Sequence, residues 1–125
     1  MVGWTPGKGE LVGKIGALLL AVNNDAGELI LAGRCGTGTD VESAVLLGLL
    51  RELEAASGYV KLTAEERKEN RRDDVTWVRP QIVVQVEFQH WTADGRLWHP
   101  SYKGRRTDKQ PSDVRREPCH EALAA

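Results

Sequence analysis

The stretch "RRTDKQP" at residues 105–111 sets two arginines, a carboxylate and a lysine within five positions, just after Tyr102 and Gly104. Arginine offers a planar fork to phosphate oxygens and lysine a compact point charge, so Arg106 and Lys109 can together hold adjacent phosphates, with Asp108 orienting either base. The same residues also suit a solvated loop. The surrounding segment is locally basic: between 103 and 117 there are six bases (103, 105, 106, 109, 115, 116) against three acids (108, 113, 117).

Other candidates for chemistry are weaker. "GTGTD" at 36–40 can present N–H groups to an anion ahead of a helix. It lacks the Lys-Ser/Thr ending of a phosphate loop and the third glycine of a dinucleotide fingerprint, and a tight strand-to-helix turn accounts for it better. His90 continues the parity of a strand, and His99 has no partner that spacing identifies. Cys35 and Cys119 stand far apart, with neither C-x-x-C nor H-x₃-H spacing, which points to reduced thiols and no metal site. Trp77, Trp91 and Trp98 can stack on bases or pack at strand edges.

The elements that must position these groups follow from the hydrophobic pattern. At 125 residues the chain suits one domain with one core. Two apolar runs, at 14–22 and 28–34, flank the turn formers Asn23-Asn24-Asp25-Ala26-Gly27 and read as a hairpin. Thr39 and Glu42 have capping-box spacing, Leu46, Leu49, Leu50 and Leu53 recur at helical intervals, and Gly58 is placed to end that helix. Residues 63–74 carry five acids and four bases and no apolar face, as a solvated loop or short helix would. Ile82, Val84, Val86 and Phe88 alternate with polar residues in a strand, and a short strand is possible near 75–79. Asp94-Gly95 signals a hairpin, with "RLWHPSY" returning as an edge interrupted by Pro100. Mostly antiparallel strands suggest a fold class that is mainly β with one helix, a small closed or partly open barrel, of which the commonest nucleic-acid-binding case is the expected form: the OB-fold, a five-stranded Greek-key barrel capped by an α-helix.

A net charge of −1 argues against a domain that coats nucleic acid by bulk electrostatics. No apolar run approaches a membrane span, and the glycine-rich, polar start lacks a secretory signal, so a cytoplasmic, nucleoid-associated protein without a membrane partner is expected.

The strings "GWTPGKG", "IGALLLAV", "AGRCGTGT", "WVRPQIVVQVEF", "WTADGRLWHPSYKG" and "RRTDKQP" occur in this order and together resemble the carboxy-terminal OB-fold domain of ATP-dependent DNA ligases. The similarity is greatest to the bacterial end-joining type, ligase D. It runs from about Gly3 to Glu117, which implies an OB domain over 1–117 and a flexible tail over 118–125.

The resemblance further implies that Arg106, Asp108 and Lys109 form the last nucleotidyltransferase motif, closing over ATP and orienting its β and γ phosphates. It also implies that the domain closes on nicked duplex DNA, with Lys14, Arg34, Lys103 and Arg105 as candidate phosphate contacts. ATP and Mg2+ would be bound by an adenylation domain, in cis or on a separate chain. That domain's K-x-D-G string is absent here, so this chain alone should be inactive. Trp98 stands where the family often has arginine, and Arg105 where it has an apolar residue. Two other functions fit the residues: a stand-alone OB module that binds single strands through its tryptophans, and an interaction domain unrelated to nucleic acid.

Overall fold

The computed structural model describes residues 1–7, 15–24, 26–37, 40–54, 60–72, 74–93, 96–98, 100–108, 110, 114 and 121–124. Thr39, Gly58, Asp94, Gly95, His99 and Cys119, each singled out above, lie outside the described residues, as do Lys14 and Lys109.

Strands β1 (Gly3–Pro6), β2 (Ile15–Asn23) and β3 (Leu29–Cys35) form an antiparallel meander, with β1 beside β2 and β2 beside β3. Two short strands, β4 (Val60–Lys61) and β5 (Thr76–Trp77), take the two edges, in the order β4-β3-β2-β1-β5. The β2–β3 turn is an Asx arrangement: Asn24 Oδ1 accepts from the N–H of Ala26 and of Glu28, each at 2.9 Å, and Gly27 takes φ 79°. A side chain at position 16 is excluded, because a Cβ there would lie 2.6 Å from the carbonyl oxygen of Pro6.

The unbroken apolar run of β2 has a physical reason. Leu18, Leu20 and Val22 enter one core, while Leu19 and Ala21 enter a second on the opposite face, with Val2, Leu31 and Val60. A strand covered on both faces has no solvent side to mark with polar residues.

Helix α1 (Asp40–Glu52) buries Leu46 and Leu50 in the first core. It stops six residues short of Gly58. Its last carbonyls are satisfied from outside, by Arg79 N to Leu53 O at 2.8 Å and Arg79 Nη2 to Glu52 O at 3.3 Å.

A second helix, α2 (Ala64–Arg72), occupies the charged segment read as a solvated loop or short helix, so the described residues hold two helices where the expected fold class has one. A capping box starts it: Glu66 N donates to Thr63 Oγ1 at 3.1 Å, and Thr63 N donates to Glu66 Oε1 at 2.9 Å. Its inner side carries Glu66, Glu69 and Asn70, which meet Arg96 and Arg34.

Strand β6 (Val83–Glu87) is the centre of a second sheet, ordered β7-β6-β8 with β7 (Ser101–Arg106) and β8 (Glu121–Ala124), both antiparallel to it. Part of the tail expected over 118–125 thus forms a strand. The return expected over "RLWHPSY" is split. Residues 96–98 continue the ladder through Thr92 N to Arg96 O at 2.7 Å and Trp98 N to His90 O at 2.9 Å, and β7 begins only after Pro100, which has no N–H to give. Leu97 N donates to Ala32 O at 2.7 Å and Asn23 N to Val114 O at 3.2 Å, which ties the two sheets together in an OB-fold. Among the described residues no helix is long and apolar enough to cross a membrane.

Candidate phosphate-binding and nucleic-acid interface

β7 carries the basic residues into position. Its register against β6 shifts between Gln85 and Val86: Gly104 faces Gln85, while Tyr102 faces Val86. Lys103 is therefore the extra residue of a bulge, and Gly104 at φ 142° absorbs the bend.

The bulge sets Arg105 and Arg106 on different partners. The Arg106 guanidinium lies side-on to Asp108, with Nε to Oδ1 at 2.9 Å and Nη2 to Oδ2 at 2.7 Å, and its Nη1 donates to Gln85 Oε1 at 3.1 Å. The bond to Asp108 and its charge hold the guanidinium more firmly protonated than usual.

Arg105 turns toward α1, where its Nε donates to Glu42 Oε1 at 3.0 Å. The Tyr102 hydroxyl donates to the same oxygen at 2.7 Å. Burial first, and then Glu42, push the Tyr102 phenol well above its ordinary range. Glu42 thus bonds to β7, and the capping box that its spacing with Thr39 suggests lies outside the described residues.

Lys103 Nζ stands 3.5 Å from Glu87 Oε2, and Arg34 donates to Asn70 Oδ1 at 2.7 Å with Glu69 at 3.8 Å. The fold therefore brings Lys103, Arg105, Arg106 and Asp108 together on and after β7 and holds Arg34 against α2. Each described candidate base has a carboxylate within ion-pair distance. Exposed pairs such as Lys103–Glu87 contribute only ~0–1 kcal/mol, so a phosphate oxygen can replace the carboxylate at little cost.

The aromatic candidates divide. Trp91 packs edge-on against Phe88, with ring centroids 5.4 Å apart, and Trp77 joins the second core. Trp98 is 45% exposed and stacks on His90 at 5.7 Å. His90 is exposed, so it does not continue the buried parity of its strand. Cys35 is buried, which pushes its thiol up to about 12. Among the described residues no cluster of His, Cys, Asp and Glu could hold a metal ion.

Sequence reasoning missed Glu42, Gln85 and Arg96 as parts of this surface. For Gln85 a signal existed, since it is polar at the centre of the clearest strand pattern in the chain.

Residues 12–109 match the family described as the C-terminal region of ATP-dependent DNA ligase. The chain is 37% identical over 118 residues to the multifunctional non-homologous end joining protein LigD of Mycobacterium bovis, covering 92% of this chain and 15% of that protein. With the LigD of Mycolicibacterium smegmatis it shares 39% over 113 residues, covering 90% and 14%. The ligase domain of M. tuberculosis LigD superimposes with a TM-score of 0.77 at 36% identity, over 93% of this chain and 37% of that one. A mycobacterial DNA ligase D complexed with ATP and MES gives 0.74 at 35%, over 94% and 36%. The chain thus spans about one seventh of the length of these curated relatives. It belongs to the family formed by the carboxy-terminal region of ATP-dependent DNA ligases.

Proposed function

We propose that this chain is the OB domain of an end-joining, ATP-dependent DNA ligase. It rests on nicked duplex DNA and supplies Arg106 and Lys109 to the β and γ phosphates of ATP during enzyme adenylylation. The lysine that accepts AMP, the nucleotide pocket and Mg2+ belong to an adenylation domain, in cis or as a separate chain. Without that domain the chain takes up no AMP. The same reading makes it a cytoplasmic, nucleoid-associated protein.

The observation that carries this is the Arg106 fork. A guanidinium has five N–H groups. Three of them donate to Asp108 and Gln85, which fixes the plane and leaves two for phosphate oxygens. Charge builds on pyrophosphate as it leaves the α phosphate, and a fixed cation meets that charge without reorganising. Sealing a nick that already carries AMP releases no pyrophosphate and needs no such clamp.

The test joins or mixes the chain with its adenylation domain and compares two single-turnover rates. Arg106→Ala should slow AMP transfer to the enzyme by roughly 10²-fold, while sealing of a pre-adenylylated nick falls much less. Lys109→Ala should behave alike and Asp108→Asn more mildly. Equal losses in both steps would make the segment a DNA contact; no loss in either would make it a solvated loop.

A further inference from the structure

Helix α2 also borders a groove. One wall is Leu62, Val75 and Trp77, beside the edge strands β4 and β5, and the other is Arg67, Asn70 and Arg71 of α2. Arg67 and Arg71 are exposed, and no carboxylate pairs with them among the described residues. That contrasts with every described candidate base on or near β7. Asp74 is the one acid among the described lining residues, whose charge is net positive.

Asn70, in the same lining, ties this part of α2 back to the sheet. It is 5% exposed, its Oδ1 is fixed by Arg34 Nη2 at 2.7 Å, and its Nδ2 has no acceptor.

We propose that this groove binds a single-stranded nucleic-acid segment, with successive phosphates on Arg67 and Arg71 and a base laid against Trp77. Residues four apart on a helix stand about 5–6 Å apart at Cβ, close to the step between neighbouring phosphates of one strand. An indole gives the base a flat apolar face without regard to its identity. The groove is built by α2, β4 and β5 and not by β7, so the proposal stands apart from the duplex and adenylylation roles above.

The test uses the full chain and a labelled oligothymidylate of about 12 residues, followed by fluorescence anisotropy at two salt concentrations. Arg67→Gln with Arg71→Gln should weaken binding about tenfold or more and flatten the log-log salt slope by about 1.4, since single strands release about 0.7 counterion per phosphate. Glutamine is a good helix former at both exposed positions, and an unchanged circular dichroism spectrum confirms that α2 is kept. In NMR the Trp77 indole N–H resonance should shift on titration while that of Trp91 stays in place.

Unaltered oligothymidylate affinity in the double variant, or a stationary Trp77 resonance, would overturn the proposal. So would polyglutamate that displaces the oligonucleotide at equal charge concentration, because the groove would then be an acidic-peptide site. Absence of nicked-duplex binding by the unaltered chain, with oligothymidylate bound and released by the double substitution as expected, would instead count against the duplex-binding reading alone.

Discussion

Replacing Glu42 with glutamine tests whether the carboxylates around β7 restrain its bases. Arg105 Nε lies 3.0 Å from Glu42 Oε1, with the two side chains 37% and 26% exposed. A pair so open to water contributes about 0.2–1 kcal/mol, and it must part before Arg105 can take a phosphate. Glutamine keeps an oxygen to accept from the Tyr102 hydroxyl but removes the charge, and with it both the restraint on Arg105 and the repulsion of DNA. Glu42→Gln should therefore tighten nicked-duplex binding by about 2–5-fold. The salt slope should steepen by about 0.9, one further phosphate. Anisotropy of a labelled nicked duplex at two salt concentrations reads both quantities. In a Tyr59→Phe background, absorbance titration of the remaining tyrosine adds a local readout. The Tyr102 pKa should fall but stay above its ordinary value near 10, because burial is the larger cause and survives the substitution. Unchanged affinity and slope would show that Arg105 does not face phosphate. Weaker binding would mean that Glu42 holds the patch in its binding geometry, and the restraint idea would be wrong.

Three further outcomes are expected. Thr63→Ala removes half of the α2 capping box and should cost about 1 kcal/mol in urea denaturation, with unchanged DNA binding at β7. Leu50→Ala, at a fully buried site between α1 and the first core, should cost about 2–5 kcal/mol by the same measurement. Cys35 should resist alkylation in the native protein and react on unfolding, as peptide-level mass spectrometry would show. Because its folded pKa is raised, the stability it contributes is complete below the unfolded thiol pKa near 8.5 and declines as pH rises from there toward about 12.

The elements most legible in the sequence were those whose side chains repeat with a period. The β2–β3 hairpin, the leucines of α1 and the alternation of β6 each declare a buried face, and the structure has all three. Helix α2 has no apolar stripe, so periodicity passes over it. Its start is written in the Thr63–Glu66 spacing, the same signature that draws attention at Thr39–Glu42. Strand β1, four residues with glycine and proline in it, is defined by its neighbours β2 and β5 and not by its own pattern. At the site, the order of residues in "RRTDKQP" places Arg106 two positions from Asp108, and the bidentate pair follows. That Arg105 and Tyr102 would share one oxygen of Glu42 is a contact between residues about sixty positions apart, which local spacing does not encode.

The two-sided burial of β2 bears on how this chain can be shortened. Residues 63–74 look expendable, since they are charged, form an insertion between α1 and β5, and bring no large apolar side chain to either core. Yet α2 lies over the sheet face that holds Leu19 and Leu31, so excising it would uncover a flat aliphatic slab flanked by two short edge strands. Such a slab is what neighbouring chains stack upon. A trimmed version would fail by precipitating, and a library selected for soluble expression would keep a polar cover here whatever its sequence.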